Sequence, residues 1–441
     1  MENKTTLFSI TWPILVETFL FMLLGTIDIY MLSQYSDNAA GAVGIANQVV
    51  GTCGLLFAII TSGTSIICAQ YIGVNKPNAD KNKLVSAALQ INTITGIVMS
   101  FVMVMFTEQL LGFMNIDPLL LDDATSYMHI VGGFVFGQAI ANTFTAVLRS
   151  HGKTEVCLFI TIIMNILNIT MNYLFIFGAG PIPSMGVKGA AISTSVSRGI
   201  AIIALGFILF RTVIKEFKIT YLLSFHMEEV KKILRLGIPS AGETISYHGA
   251  RLFITKIIST IGVVAVNANT YISTITNYNY LFAVSIAQGT AIMVGWKIGA
   301  GEKKEAYKLC LNSFKKGLIA SLIFTFICIL GGKYILGLFT KNEEIIALGV
   351  VIFIIDIINE TGRCANLVII NSLRAAGDVK FPVFAGVFSM WGISVLLSYV
   401  FGIVLGWGFP GVWLAMGLDE LIRGIIMYVR WKGRRWERHS I

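Results

Sequence analysis

The sequence predicts an all-α integral membrane protein with about twelve transmembrane helices, arranged as two parallel six-helix repeats around a central cleft. Its composition predicts the membrane: 55% of the 441 residues are hydrophobic and only 13% are charged, against about 25% charged residues in a soluble domain. The mean hydropathy of +0.77 agrees with this. An internal repeat in the sequence predicts the division into two halves.

Apolar runs long enough to cross a bilayer, which takes about 20 helical residues, recur along the whole chain. The first run is too long for a signal peptide and no small-residue cleavage site follows it, so we expect a retained spanning helix. The predicted spans lie near residues 8–32, 41–73, 84–107, 124–148, 156–178, 187–210, 234–258, 264–298, 316–338, 345–373, 381–406 and 411–430.

Lysine and arginine concentrate in every second connection between these spans. The tail at 430–435, which follows the last span, is basic as well. Because basic residues concentrate in cytoplasmic loops, we predict a multi-pass protein of the cell (plasma) membrane with both termini in the cytoplasm. The net charge of +9 is then a consequence of topology. No nucleic-acid partner is expected.

Short motifs recur in the two halves at a nearly constant distance. An even number of spans in each half gives both halves the same orientation, as in transporters built from parallel repeats. We therefore predict an N-terminal lobe at 1–220 and a C-terminal lobe at 221–441, the latter preceded by an amphipathic linker helix at 226–237. The matching stretches are 12–17 with 238–243 (offset 239 − 13 = 226), 148–149 with 373–374 (373 − 148 = 225) and 186–189 with 408–411 (408 − 186 = 222).

The first span carries a proline and an aspartate within its apolar run. Asp28 follows Pro13 by 15 residues (28 − 13), which is about 22 Å along a helix. A charge at the bilayer centre costs at least ~2.5 kcal/mol, so Asp28 is expected to face the bundle interior or a watery cavity. The alternative is that Asp28 lies near the outer end of the helix and reaches water.

Several stretches together resemble the multidrug and toxic compound extrusion (MATE) family. They are Pro13 with Asp28 followed by AVG at 42–44, LRSHG at 148–152, NITMN at 168–172 leading to GVKGAAIST at 186–194, and IGAGEKKEA at 298–306. The resemblance covers nearly the whole chain and includes the repeat. It implies a twelve-helix antiporter that exports drugs, often cationic ones, against an inward flow of Na⁺ or H⁺.

The resemblance also implies a site for the coupling cation, formed by Asp28 with Asn168, Asn172 and Thr194, and a helix bend at Pro13. Oxygen ligands of this kind suit a hard cation such as Na⁺. A lone buried carboxylate could instead carry a proton, and the asparagines could simply join neighbouring helices. No cofactor and no other metal is expected.

In the C-terminal half the sequence departs from the family. The seventh-helix glutamate of some branches falls at Tyr247, and their tenth-helix aspartate falls at Arg363. Glu243, Asp356 and Glu360 lie nearby and could compensate. Together with Arg251 these residues form either a second site for substrate or cation, or structural ion pairs. We expect Glu17, by contrast, to be interfacial.

An aromatic cluster in the eighth span is the candidate substrate cleft. Tyr271, Asn277, Tyr278 and Tyr280 have no reason to face lipid, and aromatic rings hold flat organic cations by stacking and cation–π contacts. The expected partners are thus small drug-like organic compounds and the lipid bilayer, with the protein a monomer.

Other classes of function are less well supported by the sequence. Scattered histidines and the absence of an HExxH motif argue against an enzyme. A flippase for lipid-linked oligosaccharides should line its cleft with several basic residues, whereas the N-terminal half offers mainly Arg198 within a span. A channel or receptor is the remaining alternative, and it would show no carboxylate-dependent transport driven by an ion gradient.

Overall fold

The computed structural model describes residues 5–178, 180–214, 216–218 and 220–438. The two chain ends, whose cytoplasmic placement the charge pattern predicts, lie outside these residues. Twelve long helices, α1–α12, follow one another along the described chain. They are α1 Leu7–Tyr35, α2 Asp37–Gly73, α3 Asn78–Met105, α4 Pro118–Gly132 continued by Val135–Ser150, α5 Thr154–Phe177, α6 Gly186–Thr212, α7 Met227–Ile261, α8 Val263–Gly299, α9 Lys303–Gly337, α10 Glu343–Ala375, α11 Lys380–Val404 and α12 Gly408–Lys432.

The predicted all-α membrane fold is confirmed. Within the described ranges, nine helices are long and apolar enough to cross a membrane, and the two parts of α4, which meet at 44°, give a tenth. The other two, α7 and α12, are also long, but each carries several charged residues. Short helices at Thr107–Phe113, Thr220–Leu223 and Arg435–Arg438 lie outside the spans.

The chain packs as two compact units whose bounds differ from the predicted lobes. One unit comprises Trp12–Tyr71 and Lys76–Ile238; the other comprises Pro239–Ile441 with Met1–Thr11 and Ile72–Asn75. The boundary therefore falls between Ile238 and Pro239 rather than at 220/221. The helices α1 and α7 each have their first residues in one unit and the rest in the other.

The predicted linker helix is the first part of α7 and not a separate element. Its Glu229 accepts a hydrogen bond from Tyr71 of α2 at 3.1 Å, and Lys232 donates to both side chains. One turn on, Gly237 lies so close to α2 that a Cβ there would overlap the carbonyl of Ile59. These contacts explain why this segment packs with the N-terminal unit.

The first glycine of the repeated GxxG motif begins a helix in each unit. Gly186 has φ +52° at the start of α6, and Gly408 has φ +61° at the start of α12. Glycine adopts this left-handed conformation without the steric cost that a side chain brings. The repeat in the sequence is therefore explained by the same turn in each unit.

The second glycine of the motif lets two helices approach closely. A Cβ on Gly189 would overlap the carbonyl of Phe175 in α5, and a Cβ on Gly411 would lie 2.8 Å from the carbonyl oxygen of Phe401 in α11. Phe175 and Phe401 are themselves related by the repeat (401 − 175 = 226). Both units therefore use glycine to pack the same pair of helices.

Substitution of this second glycine tests the packing. Gly189→Ala should lower the stability of the folded protein by about 1–3 kcal/mol, because the new methyl group forces backbone movement in a close-packed region. Thermal unfolding of the purified protein in detergent measures the loss. Gly51→Ala is the matched control, since a Cβ there meets nothing within 4 Å. Equal unfolding temperatures for the two variants would contradict the assignment.

Candidate functional site

Asp28 of α1 faces α5, where two asparagines lie one turn apart. The amide nitrogen of Asn172 donates to an oxygen of Asp28 at 2.6 Å, and it lies 3.1 Å from the side-chain oxygen of Asn168. Both asparagines are buried, and Asp28 is half-buried. The carboxylate is thus turned toward neighbouring helices and not toward lipid.

Helix α6 completes this cluster, which we call the Asp28 site. The amide nitrogen of Asn168 lies 3.4 Å from the hydroxyl oxygens of Thr194 and Ser197. The structure therefore brings together all four residues proposed from the sequence and adds Ser197. Sequence reasoning missed Ser197, although its position three residues after Thr194 places it on the same helix face.

The Asp28 site has an unbalanced acidic charge at short range. Among the described residues, no Lys or Arg nitrogen lies within 4.0 Å of the Asp28 carboxylate. Arg198, one turn after Thr194, interacts with Asp28 electrostatically from further away. The side-chain oxygen of Asn172 is buried and accepts no hydrogen bond. A carboxylate beside an unsatisfied amide oxygen and a hydroxyl is a donor set that fits a hard monovalent cation.

Pro13 lies inside α1, which continues through it without a break. Proline has no backbone N–H, so the helix lacks one hydrogen bond at this point. The corresponding position in the other repeat is Pro239, which lies inside α7 in the same way. Two of the unit boundaries, 11/12 and 238/239, fall close to these prolines.

The expectation that Glu17 is interfacial is wrong. Its side chain is only 2% exposed, and its carboxylate lies 2.8 Å from the guanidinium of Arg149 at the end of α4. The hydroxyl of Thr161 in α5 also lies 3.5 Å from the carboxylate. Glu17 is therefore part of a buried ion pair that joins three helices of the N-terminal unit.

The C-terminal unit contains the same ion pair. Glu243 and Arg374 are the repeat partners of Glu17 and Arg149, and their charged atoms are 2.6 Å apart. A lone buried charge is costly, whereas a paired and hydrogen-bonded one is tolerated. The repeated motifs around Pro13 and Arg149 thus encode one structural contact twice.

The C-terminal unit also encloses a cavity of about 480 Å³, which we call the C-terminal cavity. Six of the site residues that were predicted from the sequence line it. They are Glu243, Tyr247, Arg251, Asn277, Tyr280 and Arg363. Its wall is built from α7, α8, α10, α11 and α12. The lining residues are Glu243, Thr244, Tyr247, His248, Arg251, Ser273, Thr276, Asn277, Tyr280, Val284, Gln288, Arg363, Asn366, Leu367, Ile370, Asn371, Arg374, Met390, Trp413, Glu420 and Arg423.

Four other predicted residues do not line this cavity. Tyr271 packs against Phe339, with ring centroids 5.9 Å apart, and Tyr278 is 42% exposed. Glu360 is fully buried and lies 2.6 Å from Arg363. Asp356 is buried behind the wall, where it accepts hydrogen bonds from Asn359 and Trp413.

Sequence reasoning missed the charged residues of α12. Arg423 contacts Asp419 at 2.5 Å and Glu420 at 3.2 Å, and all three side chains are buried. The signal was present: two acidic residues and an arginine three to four positions later share one face of a helix. An apolar span carrying such a group is expected to turn it inward.

A helical membrane protein with two matching repeats, each enclosing ionisable side chains, is a membrane transporter by its architecture. Comparison with known families agrees with this class. The MatE family model matches residues 13–174 and 239–400, one match in each repeat. The chain belongs to the MatE family, the transporters of multidrug and toxic compound extrusion.

Curated relatives match over nearly the full length. The chain is 39% identical over 435 residues to the uncharacterized transporter YisQ of Bacillus subtilis (strain 168), covering 99% of this chain and 95% of the relative. It is 24% identical over 445 residues to the probable multidrug resistance protein NorM of Thermotoga maritima, covering 100% of this chain and 94% of the relative.

Solved structures show the same fold. A crystal structure of MATE in the bent conformation has a TM-score of 0.90 at 20% identity, covering 97% of this chain and 94% of that one. A transporter of the MOP superfamily from Pyrococcus furiosus, described as having a binding pocket of reverse polarity, has a TM-score of 0.87 at 20% identity and 98% coverage of both chains.

The buried ion pairs give a stability prediction. Arg149→Met should lower the stability by about 3–5 kcal/mol, because Glu17 is left buried without its partner. The double variant Glu17→Gln/Arg149→Met should recover part of this loss. Thermal unfolding in detergent is the measurement, and Lys153→Met, which removes an exposed charge nearby, is the control. A single variant as stable as this control would refute the role of the pair.

Proposed function

We propose that this protein is a cation-coupled antiporter that exports small organic compounds from the cell by alternating access, with Asp28 binding the coupling cation. One observation carries the proposal: the Asp28 carboxylate lies in a cluster of amide and hydroxyl oxygens and has no basic partner within 4.0 Å among the described residues. Multidrug resistance is the activity named for the NorM relatives.

Two coupling ions suit this carboxylate. Na⁺ would be held by Asp28 together with the unsatisfied side-chain oxygen of Asn172 and the Thr194 hydroxyl, which are hard oxygen ligands. A proton would bind to Asp28 directly and leave Asn172 as its hydrogen-bond partner. In both cases the bound cation neutralises a charge that is costly within the membrane.

The charge change at Asp28 is proposed to drive the transport cycle. When the cation leaves toward the cytoplasm, the ionised carboxylate keeps its hydrogen bond from Asn172 at 2.6 Å. Substrate binding is favoured in this state. Cation entry from outside then changes the packing of α1, which bends at Pro13, and the substrate is released outward. Bent and straight conformations are both described for solved MATE structures.

The placement of the protein follows from the same proposal. Export from the cell requires the plasma membrane, and the basic connections support a cytoplasmic location for both termini. A single chain contains both the Asp28 site and the C-terminal cavity, so we propose that the monomer is the functional form.

Removal of the Asp28 charge should abolish export. Asp28→Asn keeps the size of the side chain but prevents ionisation, so the drug resistance conferred on a sensitive host should fall to that of the empty vector. Asp37→Asn, which changes an exposed carboxylate at the start of α2, should behave as wild type. Resistance unchanged by Asp28→Asn at equal expression would refute the mechanism.

Thermal unfolding in Na⁺ or choline should identify the ion. A ligand that binds only the folded state stabilises it by about 2.7 kcal/mol at 100 times its Kd. Coupling to Na⁺ predicts a higher unfolding temperature in NaCl than in choline chloride, and loss of this difference in Asp28→Asn. No difference, together with dye efflux driven by a proton gradient in proteoliposomes, assigns H⁺. An increase that persists in Asp28→Asn would place the Na⁺ site elsewhere.

A further inference from the structure

The C-terminal cavity has the size and wall of a small-molecule site. Its volume of about 480 Å³ is within the usual range of about 300–1,000 Å³ for ligand pockets. Aromatic side chains from three helices contribute to the wall: Tyr247 and His248 from α7, Tyr280 from α8 and Trp413 from α12. A flat organic molecule could pack against such rings.

The charged residues of the wall are mostly arginine. Four arginines line the cavity, against two glutamates. Three of the arginines already contact carboxylates, and Arg423 contacts two of them. These pairs are Arg363 with Glu360 at 2.6 Å, Arg374 with Glu243 at 2.6 Å, and Arg423 with Asp419 at 2.5 Å and Glu420 at 3.2 Å.

Arg251 is different, because no carboxylate lies within 4.0 Å of it in the part of the chain that the structure describes. One nitrogen of its guanidinium lies 3.1 Å from the sulfur of Met416, and a thioether is a weak acceptor. A guanidinium has five N–H donors in a planar fork that matches a carboxylate. Arg251 therefore brings an uncompensated positive charge to the wall of the cavity.

The guanidinium of Arg251 disfavours a cation beside it. The two glutamates of the wall, Glu243 and Glu420, already contact arginines. A cation in the cavity would therefore meet Arg251 without a carboxylate of its own. Like charges placed together in an interface disfavour binding. The Asp28 site in the other unit differs, since its carboxylate has no basic partner within 4.0 Å among the residues that the structure describes.

We propose that the C-terminal cavity binds an aromatic organic carboxylate, with Arg251 as the counter-charge of the carboxylate and Tyr247, Tyr280 and Trp413 against the ring. This inference rests on the proposed function as an exporter and names its substrate class. It replaces the flat organic cation expected from the sequence. The coupling cation and the carboxylate substrate then bind in separate units.

A matched series of naphthalene compounds tests the charge preference directly. Naphthoate, naphthamide and naphthylmethylammonium share one ring system and carry charges of −1, 0 and +1. Isothermal titration calorimetry of the full-length protein in detergent, with protein-free micelles as the blank, gives the three affinities. Naphthoate should bind about tenfold more tightly than the amide, and the ammonium compound should bind most weakly.

Variants of α7 then test whether Arg251 is responsible for the preference for naphthoate. Arg251→Gln should remove the advantage of naphthoate over naphthamide, whereas Arg251→Lys should retain part of it. Lys256→Gln removes a positive charge from the same helix at an exposed position outside the cavity, and it should bind as wild type. Each variant is compared with wild type in elution profile and unfolding temperature, so that misfolding is recognised.

Several results would overturn the proposal. They are equal or stronger binding of the ammonium compound, a naphthoate preference that survives Arg251→Gln, and no binding of naphthoate at millimolar concentration. Displacement of naphthoate by farnesyl pyrophosphate but not by benzoate would assign the cavity to a lipid-linked substrate and would also overturn it. The titrations need no ion gradient. A failure of the cation-coupled mechanism is therefore seen separately, in the transport assay alone.

Discussion

The need to neutralise a buried carboxylate next to a proline organises both units of this protein. Glu17 follows Pro13 by one turn and is paired with Arg149; Glu243 stands in the same relation to Pro239 and is paired with Arg374. Removing one partner of such a pair leaves a charge that neither lipid nor packed side chains can solvate. The pair therefore fixes the position of the first helix of each repeat against the fourth, and the remaining helices pack around a contact that the chain makes twice.

The two repeats differ in which charged side chain has no close partner of opposite charge. In the N-terminal unit, Asp28 is held by Asn172 and has no close basic partner among the described residues; in the C-terminal unit, Arg251 has no close acidic one. Related folds built from one ancestral pattern can thus carry opposite imbalances. Ion pairs that are complete support the fold, and the incomplete groups are the ones available to a ligand. Whether a charged residue is paired therefore indicates its role, structural or ligand-binding, more clearly than its position along the chain does.

The sequence predicted the helices, their number and the repeat, because apolar runs bounded by glycine or proline can be recognised from neighbouring residues alone. The family resemblance also predicted the Asp28 cluster, because it assigned Asn168, Asn172 and Thr194 to the same site as Asp28. The sequence did not predict the pairing of Glu17, the part played by Arg423 or the separation of Tyr271 from the C-terminal cavity. A helix surrounded by lipid and other apolar helices is hydrophobic on nearly all sides, so its sequence does not fix its rotation. Contacts that depend on rotation become visible only in the packed structure.

Segment exchange between the units bears on how the protein is made. The unit formed by most of the first half of the chain includes residues up to Ile238, whereas the other unit includes the stretch up to Thr11, which is synthesised before the rest of that unit. The unit that includes Pro239–Ile441 cannot acquire all of its residues from one uninterrupted half of the nascent chain. The earliest turns of α1 must wait for partners synthesised more than 200 residues later (239 − 11 = 228). Insertion into the membrane and final assembly are therefore separate events, and the stretch from Pro239 onward, produced alone, would lack part of its own unit.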